Sequence, residues 1–335
     1  MSISLRIPQP NDESGRTVRF PLVLATHALV SGAEANCPEL RLSSILGLLR
    51  FWWRATSPLS TSSNKLLDRE VQLFGGPATG DDKSNQGTGC FTASVEWKGQ
   101  DGLLGFKSNS RGKPGGNLES FLGYGVQKNR RNGLLPGLVG ELTIRFRSNA
   151  GPDSRAEILR AVEYLLHFGG IGLLSRRGLG SLQPSEQTLA KDTLVSKLQA
   201  LVSAVSQNAK TSDIPTFSKA SRVLFLPEEA KIGRDALHVI ADDAVAFASF
   251  LSGKGVNGVS PDNIFAEQRG NQRAPSPLFI KIFSYLDGNG AEVFGVLLTY
   301  LPTTFVNAHE NIMDYMGSLV ECSAETHAIQ IKWSP

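Results

Sequence analysis

The sequence predicts an α+β protein of two ferredoxin-like (βαββαβ, RRM-like) domains in tandem, with long loop insertions in the first. Three observations carry that prediction. Apolar residues recur with period two in some segments and near 3.6 in others, so strands and helices can be told apart. Read this way, strand, helix, strand, strand, helix, strand runs through the first 184 residues and again from residue 221 onward. The length, 335 residues, suits about two domains at ~150 residues each. Each unit is then an antiparallel sheet with helices on one face. The boundary falls between a first domain, 1–190, and a second, 191–335, which opens on a connecting helix.

The elements follow in order. "VRFPLVLATHALV" (18–30) is β-branched and apolar, a strand. "LRLSSILGLLRFWWRA" (40–55) is apolar at helical spacing, with Ser43 as N-cap. "FTASVEWK" (91–98) and "ELTIRFRS" (141–148) alternate; in the latter Leu142, Ile144 and Phe146 share one face, and Thr143, Arg145 and Arg147 the other. "DSRAEILRAVEYLLHF" (153–168) is an amphipathic helix whose Ser154 and Glu157 have capping-box spacing. "GSLQP" closes the first unit as a short strand, and 192–205 is the connecting helix. The second unit reads 221–227 strand, 235–253 helix, 276–288 and 291–302 strands around "DGNG", 309–321 helix and 327–333 strand.

The insertions are 56–66, 75–89 and 99–136, rich in Gly, Ser, Asn and Lys. Structureless loops of that length are uncommon unless they serve a partner. Parts of each are expected to order on one.

Composition excludes several classes. Hydrophobic residues make up 41% and charged residues 19%, ordinary for a chain with real cores. No apolar run reaches the ~18 residues of a membrane span, and "MSISLRIPQPNDESGR" has no h-region of a secretory signal. Cys37, Cys90 and Cys322 are far apart, so neither a disulfide framework nor a zinc site is expected, and a reducing cytoplasm fits. Net charge is +3, but its distribution is uneven. Lys107, Arg111, Lys113, Lys128, Arg130 and Arg131 stand against Glu119 between Gly102 and Gly140, while the tail from Thr303 is acidic. A basic surface on one side is the expected result.

Three stretches have anion-binding chemistry. In the helix 40–55, Ser43, Gly47, Arg50 and Arg54 fall on one face. Small residues let a large anionic partner approach there, or else the arginines pair with protein carboxylates. In "HFGGIGLLSRRGLGSLQP" (167–184), Gly170, Gly172 and Gly178 permit positive φ, so backbone N–H groups can form an anion nest beside Arg176 and Arg177. Arginine adds charge and a planar fork. The alternative is a tight turn with solvated arginines. In "RGNQRAPSPLFIKI" (269–282), Arg269 and Arg273 flank a polar turn before a strand.

Catalytic motifs are missing. There is no P-loop and no G-x-G-x-x-G opening a helix after a strand. "GDD" (80–82) sits in a polar loop. His27 is placed to act as a general base in metal-free RNA cleavage, although a lone histidine at a strand end more often serves structure. His167, His238, His309 and His327 form no ligand pattern. The strand 141–148 offers arginines rather than aromatics, so RNA would be held by loops, arginines and phosphates, not by base stacking on the sheet.

"CPELRLSSILGLLRFWWRA", "REVQLFGG", "GGIGLLSRRGLGSL" and "RAPSPLFIKI", in that order, resemble the RAMP superfamily of CRISPR proteins. More narrowly they resemble the first-numbered RAMP subunit of type III-B Cmr effector complexes. The resemblance spans both halves. It implies two ferredoxin-like domains, no cofactor, and a non-catalytic RNA-binding subunit near the guide RNA 3′ region that helps capture target RNA in antiviral defence. Guide RNA, target RNA and other Cmr-complex subunits are the partners it implies, with no membrane. Carried over by motif, the RNA-binding residues are Arg41, Ser43, Ser44, Arg50, Arg54, Arg176, Arg177, Arg269 and Arg273. One departure stands out: the second half has the acidic, glycine-poor "SLVECSAETHAIQ" where a glycine-rich loop would fall. A guide-processing endoribonuclease of the same superfamily, using His27, and an end cap that touches only protein are the rival readings.

Overall fold

A computed structural model describes residues 15–30, 38–61, 63–76, 87–98, 104–105, 132–186, 188–205, 214–231, 233, 236, 267–269, 272–274, 276–303, 309–321 and 327–332. It contains two four-stranded antiparallel sheets. The first comprises β1 (Thr17–Leu24), β2 (Phe91–Lys98), β3 (Val139–Phe146) and β4 (Leu182–Pro184), in spatial order β2-β3-β1-β4. The second comprises β5 (Arg222–Ala230), β6 (Leu278–Leu286), β7 (Glu292–Tyr300) and β8 (Ile329–Gln330), in the matching order β6-β7-β5-β8. Five helices accompany them among the described residues: α1 (Leu42–Thr56), α2 (Ser63–Phe74), α3 (Pro152–Phe168), α4 (Lys191–Val205) and α5 (His309–Glu321). Two short ribbons pair Leu104–Gly105 with Asn132–Gly133, and Glu267–Arg269 with Gln272–Ala274.

The alternation read in 141–148 places Leu142, Ile144 and Phe146 in the core, while Arg145 is exposed. Asp287 builds the β6–β7 turn: its side chain accepts from the backbone N–H groups of Asn289 and Ala291. Helix starts differ from expectation. α1 begins at Leu42 with Arg41 as N-cap and no side-chain cap, so Ser43 lies inside the helix. α3 begins at Pro152, whose fixed φ suits a first turn, with Gly151 as N-cap. Ser154 and Glu157 therefore make no capping box. Both instead receive Arg69 of α2.

Helix α2 falls partly in the stretch read as a loop, 56–66. Its buried stripe is Leu66, Glu70 and Leu73, and a carboxylate in mid-stripe hides the apolar period. The predicted helix 235–253 and most of the insertions at 75–89 and 99–136 lie outside the described residues.

The layers follow from which strand faces are apolar. β1 and β3 turn Val18, Phe20, Leu22, Leu142 and Ile144 onto α1 and α3. The far side of those helices meets the second sheet, where Phe51 and Trp52 touch Phe279, and His167 stacks on Phe283. The opposite face of the second sheet, through Leu278, Ile280 and Ile282, packs with Ile312, Tyr315 and Met316 of α5. The order is thus sheet, helices, sheet, helix. The second sheet is buried on both faces, whereas the first keeps one face open.

The outer edge of β6 is covered as well. Its N–H groups at Ile280, Ile282, Ser284 and Leu286 donate to the Arg176 carbonyl, Ser181 Oγ, Gln183 Oε1 and the Leu189 carbonyl, at 2.8–3.0 Å. An unpaired strand edge invites foreign strands; here the segment around β4 closes it, with two side-chain acceptors between two backbone ones.

Candidate nucleic-acid interface

The glycine-rich stretch after α3 is folded against the chain leaving β1. Thr26 Oγ1 donates to the Gly178 carbonyl at 2.6 Å and accepts from the Ser181 N–H at 3.0 Å. The N–H groups of Ile171, Leu173, Arg177 and Gly180 donate to the carbonyls of Gly180, Leu29, Leu174 and His27. Those donors are turned toward protein, which narrows the expected nest. Gly172, Gly178 and Gly180 do adopt positive φ. A Cβ at Gly172 would strike the Leu29 carbonyl, and one at Gly180 the Ile171 carbonyl. Gly170 is buried beside the Gly180 carbonyl. The glycines therefore let two backbone segments pack in contact.

Arg176 reaches into the second half. Its guanidinium lies 4.5 Å from the Phe279 ring centroid and 5.4 Å from that of Phe51, and it donates to the Ser276 carbonyl. Burial pushes its pKa down to about 10. Arg177 forms a backbone bridge with Ile280 and is half-buried.

Arg54 makes a two-pronged bond to Glu70, with Nε at 2.6 Å from Oε2 and Nη2 on Oε1. Arg50 lies 3.9 Å from the same carboxylate and donates to the Phe74 and Gly75 carbonyls at the end of α2. Of the two readings open for these arginines, the carboxylate pairing is the one seen. A lysine or arginine on the final carbonyls of a helix also suits its dipole.

The first turns of α1 are different. Ser43, Ser44 and Gly47 are exposed, with open space around Gly47. Arg41 is exposed and 3.5 Å from Glu39. The first turn holds no acidic residue and no side-chain cap, so the positive end of the helix dipole faces solvent. Ser44, Leu48 and Phe51 follow one helical face, and Phe51 meets Arg176. That places the glycine-rich loop within about two turns of this end. Arg269 and Arg273 fall in the second ribbon, where Arg269 pairs with Gln272 and Arg273 with Gln268.

Two features escaped sequence reasoning. Nothing in the local pattern marks Glu70 as the partner of Arg54. Lys281, a lone cation in "LFIKIF", is fully buried and donates to the Gly169 and Leu182 carbonyls. His27 gives its backbone carbonyl to Gly180, part of the frame of the loop. No helix of the described residues is long and apolar enough to cross a membrane.

Residues 21–183 match the family model described as RAMP superfamily. No curated protein sequence matches the chain. Among solved structures, the chain is similar to Cmr1 from Pyrococcus furiosus in its apo form, at 16% identity and a TM-score of 0.61, covering 94% of this chain and 98% of that one. It is also similar to a chain in the type III-B Cmr-beta assembly bound to cognate target RNA, at 11% identity and a TM-score of 0.53, covering 92% and 99%. At these identities the likeness is one of fold.

Proposed function

We propose that the chain, whose residues 21–183 match the RAMP superfamily model, is a non-catalytic RNA-binding subunit of a type III-B CRISPR effector complex. It contacts RNA near the guide 3′ region, helps capture target RNA, and works in the cytoplasm beside other Cmr-type subunits. The observation that carries the RNA reading is the exposed start of α1, with no side-chain cap and no acidic residue in its first turn, and with Arg41, Ser43, Ser44 and Gly47 around it. Phosphate suits such a helix end, because unsatisfied N–H groups and the dipole favour an anion. Arg177, Arg269 and Arg273 extend the same reading. The likeness in fold to Cmr1, along nearly the whole of both chains, supports membership of such a complex.

Each half, 1–190 and 191–335, is in this reading a ferredoxin-like unit. The identical spatial order of strands, second-third-first-fourth in both sheets, supports it. In this reading His27 serves the loop frame through its backbone carbonyl, and the chain is expected to cut no RNA, with or without His27→Ala.

The test is fluorescence anisotropy of a labelled single-stranded RNA over a salt series, with crosslinks mapped in the assembled complex. Crosslinks at 41–47 and 172–177 are expected. Crosslinks confined elsewhere, or RNA cleavage that His27→Ala abolishes, would overturn the proposal.

A further inference from the structure

A cavity of about 560 Å³ opens at the seam between the two halves, away from the start of α1. β1, β4, the end of α3, the start of α4 and β6 enclose it. Its floor is apolar: Phe20, Leu166 and Phe283 are buried there, with Pro184 and Leu189 above them. The volume lies in the range of small-ligand sites, which favour domain seams.

The polar groups are few and distinct. Arg19 and Lys197 both line the cavity. Arg19 gives Nη1 to Glu141 at 3.2 Å, and its side chain is 52% exposed. Its remaining N–H groups are donors. Lys197 pairs with Glu163, which itself lines the wall, and an ammonium has three donors. Thr193 and Ser196 add hydroxyls from exposed positions on α4.

His167 defines a further element of the wall. Its Nδ1 lies 2.8 Å from the Glu163 carbonyl oxygen. A carbonyl only accepts, so Nδ1 carries the proton and Nε2 is left as an acceptor. The ring stacks on Phe283 at 5.9 Å and 23°.

An apolar floor with a buried flat ring in its wall, hydroxyls and two cations at one opening match a flat heterocycle joined to an anion. Arg19 also lines a second, smaller groove of about 410 Å³ on the open face of the first sheet, with Thr92, Ser94, Thr143 and Arg145. Glu96 and Glu141 border that groove and leave Arg19 and Arg145 as its cationic side. A strand leaving the cavity therefore meets hydroxyls and two arginines, with the two carboxylates beside them. We propose that the cavity takes one nucleotide of a bound single-stranded RNA, its base against the apolar floor and its phosphate at Arg19 and Lys197. This rests on the RNA-binding reading but assigns a second site, distinct from the start of α1.

The experiment uses the full chain with a fluorescein-labelled RNA carrying 4-thiouridine. Crosslinks are expected in the peptides that contain Thr193–Lys197 and Gln183–Glu186. Ser196→Trp fills the opening from an exposed helical position, and affinity should fall about tenfold, the scale of losing one stacked base, with an unchanged melting temperature. Thr193→Trp serves as a second filling variant should the first perturb folding. Equal affinity in wild type and both folded variants, with no crosslink at the cavity, overturns this site while leaving the α1 interface standing. A wild-type protein that binds no RNA overturns both.

Discussion

Lys281 closes the C-terminal end of helix α3: its Nζ donates to the Gly169 carbonyl oxygen at 2.6 Å. The two residues belong to different halves of the chain. A helix C-terminus carries partial negative charge, which suits an ammonium. The Leu182 carbonyl is its second acceptor, and the Phe283 ring lies 5.6 Å away. The joint is thus made of a buried cation held by backbone dipoles.

Burial pushes the Lys281 pKa well below its ordinary 10.5. The unfolded chain then binds more protons than the folded one between the lowered value and 10.5. Stability is expected to rise with pH through that interval. Lys281→Met, similar in length and uncharged, should flatten the rise. Urea titrations at several alkaline pH values measure it; an unchanged slope would remove Lys281 as the cause.

His167 acts in the opposite pH range. Burial chiefly, with Lys197 and Lys281 nearby, lowers its pKa from 6.5 to about 4, against the opposing pull of Glu163. The folded state keeps it neutral where the unfolded chain would protonate. Stability is full above 6.5 and is lost as pH falls toward 4, by about 3 kcal/mol. His167→Asn should reduce that loss, as read from denaturation midpoints between pH 7 and 4.

Arg54 and Arg41 should separate cleanly. Arg54→Ala leaves Glu70, 6% exposed, without its two-pronged partner. A loss of about 2 kcal/mol is expected, below the range for fully buried pairs because Arg54 is partly solvated. Arg41→Ala should leave stability within about 0.5 kcal/mol. Thermal melting of both variants checks this, and equal melting temperatures would contradict the pairing.

RNA binding should show the converse. Arg41→Ala and Arg177→Ala are each expected to reduce the slope of log K against log salt by about 0.7, one phosphate contact on a single strand. The weakening should be similar across unrelated RNA sequences, because phosphates carry no base identity. An unchanged slope in a folded variant would remove that arginine from the interface.

Gly180→Ala is a test of packing. Gly180 has φ +62°, and a Cβ there would overlap the Ile171 carbonyl oxygen. The variant should lower the melting temperature markedly, whereas Gly47→Ala, with open space around it, should not. If Gly180→Ala folds as stably as wild type, the close approach of the two segments is not required.

Much of the architecture was legible locally. Alternation in 91–98 and 141–148, and helical spacing in 153–168 and 309–321, located strands and helices to within a few residues. Helix α2 escaped because Glu70 interrupts its apolar stripe, and that carboxylate belongs there only once Arg54 is beside it. The capping-box spacing of Ser154 and Glu157 misleads for the same reason. Both residues are occupied by Arg69, a residue 85 and 88 positions away.

The sequence by itself determined the order of elements and the faces they bury, because both depend on periods of two and 3.6 within short windows. It also located the glycine-rich loop and the arginines. Tertiary structure alone decided what those arginines touch. Arg54 meets Glu70 across 16 positions, Arg176 meets Ser276 across 100, and Lys281 meets Gly169 across 112. A charge in a partly dry interior takes the nearest complementary group in space, since leaving it unpaired is costly. Which group is nearest depends on how the layers stack, and no local window records that.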